Sequence, residues 1–365
     1  MVHSNYERDG GSNKSEIGSK GICEGPSDLS DILRGLASKL RHRDRGLAAS
    51  SYVSMNTKLS PPGWPSNKRP NKRALLCGVS YNNKRKYRLR GTVNDVKDMR
   101  DLLINKFGYP AHCIRVLTEI IKYGVIRVTT NNTLNAEFEA KEFHPTKKNI
   151  ENSMKWLVED CQPGDSLVFY FSGHGLRQPD FKDDEIDGFD ETICPVDFMQ
   201  EGMIVDNDIN TAIVKPLKPG VKLHALVDSC HSGTILDLHH VYDQKIKQWK
   251  DNSPPSGASK STSGGLAICL SACEDHQLAA DTTVFTGKTM YGALTFIFIE
   301  VIKQNSNLTY GQLLEDLSET FDENASRVKC LNSRTLARLF GYRITQKPLL
   351  SSSEKFDVYL TKVSL

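Results

Sequence analysis

Short, nearly continuous apolar runs alternate along this chain with longer segments whose apolar residues recur at helical spacing. A strand covered by helices on both faces needs a continuous run, whereas a helix packed on a sheet needs only one apolar stripe. Runs of the first kind predict strands at residues 74–79, 114–117, 167–171, 223–227, 266–270 and 356–360. Helical spacing follows Asn94 and Thr146, two predicted N-caps, and recurs near 291–303 and 309–321. Because parallel neighbours need crossover helices, the pattern predicts an α/β fold: a doubly wound, six-stranded, mostly parallel sheet with helices on both faces.

A histidine and a cysteine come directly after two of these strands. His174 lies in Ser172-Gly173-His174-Gly175, and Cys230 lies in Asp228-Ser229-Cys230-His231-Ser232-Gly233. Ligands of open α/β sheets bind beyond the carboxyl ends of the strands, so both side chains are expected in one crevice. A thiol beside a histidine is a candidate nucleophile with its base. Taken singly, His174 is better explained as a satisfied loop histidine and Cys230 as an inert buried thiol, and only their position at adjacent strand ends favours catalysis.

His231 is the neighbour of Cys230 in sequence but is not predicted to be its base. On an extended backbone, successive side chains point to opposite sides, which would turn His231 away from the thiol.

Two carboxylates are predicted at the same edge of the sheet. Asp228 precedes Cys230 by two residues and therefore lies on the same side of the strand end. Asp95 lies in the first turn of the helix after the first strand. Carboxylates beside a nucleophile would bind a guanidinium or ammonium group and repel an acidic side chain. The alternative for Asp95 is that it only complements the helix dipole.

Acidic residues crowd the segment after His174. They are Asp183, Asp184, Glu185, Asp187, Asp190 and Glu191, with Asp206, Asp208 and Asp237 further on. Oxygen ligands at this density suit calcium. The segment is not an EF-hand, because a loop counted from Asp183 places Cys194 where the bidentate Glu is required. A solvated acidic loop without a metal is the alternative.

Composition indicates an intracellular globular protein. The chain has 365 residues, of which 38% are hydrophobic and 25% charged, and a net charge of +3 is too small to indicate a nucleic-acid partner. No 18-residue apolar stretch or signal-peptide pattern is present, so we expect neither a transmembrane segment nor secretion. Nine scattered cysteines without a Cys-x-x-Cys pair argue against a disulfide framework and a zinc site. We expect a cytoplasmic location, with the nucleus as the alternative.

Residues 1–70 differ from the rest of the chain and are predicted to be a largely disordered extension. Within them, residues 28–41 have the apolar spacing of an amphipathic helix. Such a helix could dock on its own domain or remain partly disordered, or it could bind a membrane surface or a partner.

From about Arg73 to the C-terminus the chain resembles the type I metacaspases, of the caspase-like group of cysteine peptidases. Besides the two segments around His174 and Cys230, the matching motifs are Gly91-Thr92-Val93-Asn94-Asp95-Val96, Asp187-Gly188-Phe189-Asp190-Glu191 with Pro195-Val196-Asp197, Ser271-Ala272-Cys273 near Gln277 and Asp281, and Gly292-Ala293-Leu294-Thr295. The short stretch between Gly233 and Leu266 favours type I over type II. The caspase signature Gln-Ala-Cys-x-Gly is absent.

The resemblance implies a caspase-like fold and a role for each site residue. His174 and Cys230 would be the catalytic dyad, with the backbone N–H groups of Gly175 and Cys230 as the oxyanion hole. Asp95, Ser172 and Asp228 would line the primary pocket, so cleavage after Arg or Lys is implied. Calcium would be an activator and not a catalyst, and its implied ligands are Asp190, Asp206, Asn207 and Asp237. Asn207 stands where the family usually has a second Asp, and Thr92 where it commonly has Cys.

The implied organisation is an extension at 1–70 and a peptidase domain at 71–365. The domain would comprise a large-subunit part at 71–245, a linker at 246–264 and a small-subunit part at 265–365. Residues 119–145 form a longer connection than the family usually has. The resemblance implies a monomeric, self-processing zymogen that cleaves protein substrates in proteolytic signalling or programmed cell death. The alternative is a caspase-like regulator or scaffold that acts by binding, with little or no proteolysis.

Overall fold

The computed structural model describes residues 70–119, 143–182, 185–272, 281–282, 291–305, 307–330 and 348–365. The predicted extension with its helix at 28–41, and most of the connection at 119–145, lie outside the described residues.

The first part of the domain carries the strands and helices that lead to both candidate catalytic residues. In chain order they are β1 (Lys72–Gly78), α1 (Thr92–Asn105), a 3₁₀ turn (Ala111–Cys113), β2 (Ile114–Thr118), α2 (Lys147–Val158), β3 (Ser166–Ser172), β4 (Gly175–Pro179), β5 (Phe189–Ile193), α3 (Phe198–Glu201), β6 (Ile204–Val205), α4 (Asp206–Ile209), a π-helical turn (Asn210–Val214) and β7 (Lys222–Asp228). The second part consists of β8 (His240–Asp243), β9 (Gln248–Asp251), β10 (Leu266–Ser271), β11 (Asp281–Thr282), β12 (Tyr291–Gly292), α5 (Ala293–Gln304), α6 (Tyr310–Cys330) and β13 (Leu349–Ser352).

A large, mostly parallel sheet forms the centre of the domain. Its strand order is β2-β1-β3-β7-β10-β13-β8-β9, with parallel pairing from β2 to β10 and antiparallel pairing beyond. The expected mostly parallel α/β class is confirmed. The chain steps from β1 to β2 on one side and returns to β3 on the other, so the strand order reverses at β1. Such a reversal opens a crevice at the carboxyl ends of the strands, where ligands bind.

Two hydrophobic cores, one on each face of the sheet, explain why its strands read as continuous apolar runs. In β1, Ala74 and Leu76 point into one core, and Leu75 and Cys77 point into the other. The first core is closed by α1, α5 and α6, and the second by α2. Alternate side chains of one strand thus enter different cores, and neither face can be polar.

The sheet has eight strands, not the predicted six. One reason is the hairpin β8–β9, which lacks a long apolar run and extends the antiparallel edge. In addition, the strand predicted at 356–360 is wrong. Leu349–Ser352 pairs with β10 instead, while the Phe356 ring packs 5.1 Å from that of Trp249 and Leu360 is exposed. Residues 356–360 therefore form a turn that the Phe356 ring anchors to Trp249.

The helix starts were predicted with mixed success. The Thr146 hydroxyl accepts a hydrogen bond from the Asn149 N–H at 3.3 Å, which confirms Thr146 as an N-cap. By contrast, α1 already begins at Thr92, so Asn94 lies within its first turn and does not cap it. Among the described helices, none combines the length and the apolar character needed to cross a membrane.

Candidate active site

The parallel register of β3 and β7 brings the predicted histidine and cysteine together. Ser172 is paired with Asp228, and His174 and Cys230 each lie two residues beyond that pair. The Gly173 N–H donates to the Asp228 carbonyl at 3.3 Å, so the two chains remain adjacent after the strands end. At Gly175, a Cβ atom would collide with the Cys230 carbonyl oxygen, and only glycine permits this approach.

A hydrogen bond to the backbone determines which nitrogen of His174 can act as a base. Nε2 lies 2.7 Å from the carbonyl oxygen of Tyr87. Because a carbonyl oxygen only accepts, Nε2 carries the proton and Nδ1 is left to accept one. The contact also orients the imidazole ring, which is half-buried.

Tyr81 holds His174 from a second direction. Its ring centroid lies 4.7 Å from that of the imidazole. Its hydroxyl accepts the His174 N–H at 3.0 Å and donates to the Cys194 carbonyl at 2.6 Å. Burial raises the pKa of Tyr81 well above its usual value, so the hydroxyl keeps its proton.

The loop that carries Tyr81 and Tyr87 is anchored by Glu119 at the end of β2. The buried Glu119 carboxylate accepts the Ser80 N–H at 2.5 Å and the Asn82 N–H at 2.8 Å. Sequence reasoning missed all three of these positioning residues. The loop has neither helical nor strand periodicity, and its contacts reach His174 across roughly ninety residues of chain, as the sequence numbering shows.

The reason given for excluding His231 as the base was wrong. The backbone is not extended at this residue, which has φ +49° in the left-handed region. It is the strand register that places His174 beside Cys230, because these two residues follow paired positions.

Cys230 differs in its access to solvent from the five other cysteines whose side chains the structure describes. It is half-buried, whereas Cys77, Cys113, Cys161, Cys194 and Cys269 are buried. Burial raises the pKa of the Cys113 thiol to about 11 and that of Cys269 to about 12. A buried thiol with a raised pKa is inert, so Cys230 is the one among them suited to act as a nucleophile.

Asp95 and Asp228 lie side by side next to the dyad, as predicted, and Ser172 joins them. Both carboxylates are buried, and the Ser172 hydroxyl donates to Asp95 at 2.8 Å. A Cβ atom on Gly292 would collide with Asp228 Oδ2 and lie 3.0 Å from Asp95 Oδ2. Two buried carboxylates therefore face the same small space at the end of β3 and β7.

Backbone donors from the second part of the domain bind these carboxylates. The Gly292 N–H donates to both Asp95 oxygens at 3.0 Å. The N–H and hydroxyl of Thr295 donate to Asp228 at 2.8 and 2.7 Å. Hydrogen bonds to the charged form lower the free-energy cost of burying a carboxylate. The motif around Gly292 and Thr295 was noticed in the sequence, but its contact with the carboxylates was not predicted.

The acidic residues after His174 form a separate cluster. One oxygen each of Glu185, Asp190 and Asp206 lies within 4.8 Å of the other two. Burial raises the pKa of Asp206 well above its usual value, and the next largest contribution is the charge of Asp237. A group of buried oxygen ligands with excess negative charge fits a hard cation such as calcium. Asp190, Asp206 and Asp237 thus come together as predicted, and Glu185 joins them.

Asn207 also lies against this cluster, but its nitrogen faces inward. Nδ2 donates to Asp190 Oδ1 at 3.4 Å, and the backbone N–H of Asn207 donates to Asp206 at 2.6 Å. A rotation of the amide would be needed to present its oxygen as a ligand. Lys260, which sequence reasoning did not connect with this site, lies 2.9 Å from Asp237 Oδ1.

Glu191 connects the acidic cluster with both catalytic segments. Its carboxylate accepts the Thr234 hydroxyl at 2.7 Å and pairs with Arg177 at 3.2 Å, and its N–H donates to Asp206 at 2.6 Å. Arg177 lies in the strand that follows His174, and Thr234 in the loop that follows Cys230. A displacement of the acidic cluster would therefore shift both the segment after His174 and the segment after Cys230.

Comparison with known proteins identifies relatives over most of the chain. The family profile "Metacaspase, peptidase C14 domain" matches residues 72–239. Metacaspase-1 of Arabidopsis thaliana is 41% identical over 319 residues, which cover 84% of this chain and 82% of that protein. Metacaspase-3 of the same plant is 42% identical over 298 residues, 80% and 75% of the two chains. Metacaspase-1 of the yeast Meyerozyma guilliermondii is 35% identical, covering 80% and 72%.

The geometry predicts that iodoacetamide at neutral pH alkylates Cys230 before Cys77, Cys113, Cys161, Cys194 and Cys269. Replacing His174 by Ala should slow this reaction by about tenfold or more, because the Cys230 thiol loses the base that converts it to the reactive thiolate. Peptide mass spectrometry over a time course measures the rate at each cysteine. His231→Ala is the matched control and should leave the Cys230 rate unchanged. An equal loss in both variants would contradict the assignment of the base.

Proposed function

The chain belongs to the metacaspase family of caspase-like cysteine peptidases, and on this premise we propose that it is an endopeptidase that cleaves after Arg or Lys. Its substrates are proteins and peptides. The observation that carries the proposal is the register of β3 and β7, which sets His174 and Cys230 beside two buried carboxylates.

The proposed reaction uses Cys230 as the nucleophile and His174 as the proton carrier. His174 Nδ1 takes the thiol proton, and the thiolate attacks the peptide carbonyl carbon. The Gly175 and Cys230 N–H groups stabilise the oxyanion, a contribution of about 3–4 kcal/mol in such sites. His174 then protonates the leaving amine, and water hydrolyses the acyl-enzyme and regenerates the thiol. The close approach of Gly175 to Cys230 and the Nε2 contact to Tyr87 support these roles.

The proposed specificity follows from the charge of the pocket. Asp95 and Asp228 would bind a substrate guanidinium or ammonium group, with Ser172 beside them. Their hydrogen bonds to Gly292 and Thr295 support this, because donors that stabilise the charged carboxylates leave them able to attract a cation. An aspartate side chain in the same space would meet two like charges.

We propose that calcium activates the enzyme from the acidic cluster and takes no part in bond cleavage. Asp190, Asp206, Asp237 and Asn207 would hold it, with Glu185 as an additional ligand. Bound there, calcium supplies positive charge that orders the surrounding segments. The contacts of Glu191 with both catalytic segments support an effect on dyad geometry.

The remaining features of the proposal follow from family membership. We propose a monomeric zymogen that processes itself and acts in the cytoplasm in proteolytic signalling or programmed cell death. The extension at 1–70 would belong to the precursor.

The central test compares the unaltered protein with Cys230→Ala and His174→Ala on fluorogenic peptides ending in Arg, Lys or Asp. Both variants should lose hydrolysis while keeping the circular dichroism spectrum, because neither side chain is part of a core. Self-processing, followed on gels, should disappear together with peptide hydrolysis. Cys161→Ala removes a buried thiol elsewhere and should remain active. Activity of the Cys230→Ala protein would refute the peptidase proposal.

The pocket can be tested by neutralising each carboxylate without changing its shape. Asp95→Asn and Asp228→Asn should each lower kcat/KM for Arg peptides by about 100-fold or more, since losing a buried charge partner costs about 3–5 kcal/mol. Asp165→Asn is the matched control, because Asp165 is also buried but lies at the opposite edge of the sheet. Efficient cleavage after Asp by the unaltered protein would be incompatible with the proposed pocket.

The effect of calcium on activity distinguishes a calcium site at the acidic cluster from a solvated acidic loop that binds no metal. Millimolar calcium should raise Arg-peptide hydrolysis over a chelator control, with a dissociation constant of about 10⁻⁴–10⁻³ M. Asp206→Asn should reduce this response, whereas Asp208→Asn, at an exposed neighbour, should preserve it. Equal activity in calcium and in chelator, without calorimetric binding to the Cys230→Ala protein, would show that calcium has no role.

A further inference from the structure

Lys260 is a buried lysine in an otherwise exposed segment. It lies between β9 and β10, where residues 255–259 and Ser261 are exposed, yet Lys260 itself is only 5% exposed. Lysine is almost never buried unless its charge is paired. The small and polar neighbours give no apolar reason for the burial, so its cause must be the ammonium group.

The Lys260 ammonium is held by carboxylates of the acidic cluster. Nζ lies 2.9 Å from Asp237 Oδ1 and also pairs with Glu185 Oε1. The two partners are 1% and 8% exposed. Glu185 in turn shares the cluster with Asp190 and Asp206. One end of the linker thus supplies a positive charge to the site proposed for calcium.

The backbone places Lys260 there through a buried amide. Asn210 Nδ2 donates to the Lys260 carbonyl at 3.2 Å and to the Leu236 carbonyl at 3.0 Å. Asn210 therefore joins the linker to the segment that carries Asp237. Because Asn210 fixes the Lys260 backbone beside the segment of Asp237, the fold itself directs the lysine side chain into the cluster.

We propose that Lys260 is a tethered competitor of calcium: its ammonium occupies the acidic cluster when calcium is absent, and calcium binding expels it. The inference rests on the proposed calcium function and names the regulation of that site. A calcium ion bound to Asp237 and Glu185 would use the oxygens that now contact Nζ. The two cations would also repel each other at this separation. Occupancy by one therefore excludes the other.

Competition of this kind has two consequences. The affinity for calcium is reduced, because binding must first displace a charge that is already paired. In addition, calcium releases the Lys260 side chain, so occupancy of the cluster by calcium is converted into exposure of the Lys260 ammonium group. By reciprocity, a change in Lys260 that weakens its contact and leaves the carboxylates unaltered must strengthen calcium binding.

The first test is calorimetric titration of calcium into full-length Cys230→Ala protein with and without Lys260→Gln. The variant should bind calcium about tenfold more tightly or better, because a competing charge is removed from contact with two ligands. Lys250→Gln is the matched control: Lys250 is 59% exposed and pairs with Asp243 outside the cluster. The calcium affinity of the Lys250→Gln variant should equal that of the Cys230→Ala parent.

The second test keeps Lys260 and measures its accessibility directly. An N-hydroxysuccinimide acetate pulse, read by mass spectrometry, should label Lys260 slowly in chelator and at least about fivefold faster in saturating calcium, since a paired buried amine is shielded. Lys250 should react equally in both conditions. This readout does not depend on whether the Lys260→Gln variant folds.

The outcomes distinguish the inference from the function on which it rests. Calcium binding with unchanged Lys260 labelling and equal affinities would overturn the competition and leave calcium activation intact. Binding in neither the parent nor Lys260→Gln would refute the calcium site itself and the inference with it. Binding by Lys260→Gln alone, with none by the parent, would support competition in its strongest form.

Discussion

The pairing of β3 with β7 is the constraint on which the site depends. These parallel strands keep residues 166–172 in register with 222–228, and the last pair is Ser172 with Asp228. His174 and Cys230 follow two residues later, and Ser172 and Asp228 themselves belong to the proposed pocket. Because side chains alternate between faces, a slip of one residue would turn Asp228 and Cys230 away from their partners together. The proposed nucleophile, base and pocket are therefore positioned by one set of backbone hydrogen bonds.

Buried negative charge is stabilised in two different ways within one domain. Asp95 and Asp228 accept hydrogen bonds from the N–H groups of Gly292 and Thr295 and from the Thr295 hydroxyl. The acidic cluster instead contains the ammonium group of Lys260. Hydrogen bonds to a carboxylate stabilise its charged form, as the proposed pocket for a cationic side chain requires, whereas an ion pair must be broken before another cation can bind. The first arrangement suits a pocket, and the second suits a switch.

The position of His174, the proposed base, depends on residues far from it in sequence. Tyr87 selects the tautomer, Tyr81 supports the ring and the main chain, and Glu119 anchors the loop that carries both tyrosines. The last described residue before the long connection at 120–142 is thus part of the histidine's support. Precise placement of a base depends on such surrounding contacts as much as on the base itself.

Sequence alone determined the parallel class of the fold, the crevice and the residues that meet in it, because a doubly covered strand must be apolar throughout and parallel strands end at one edge. Tertiary structure decided what local pattern does not encode. The strand beside β10 is Leu349–Ser352 and not 356–360, since pairing depends on which segment reaches the sheet. Likewise, the support that Tyr81 gives His174 and the burial of Lys260 arise from contacts with residues distant in sequence. A hydrophobic pattern states whether a residue is buried, but only the folded chain determines which partner meets it there.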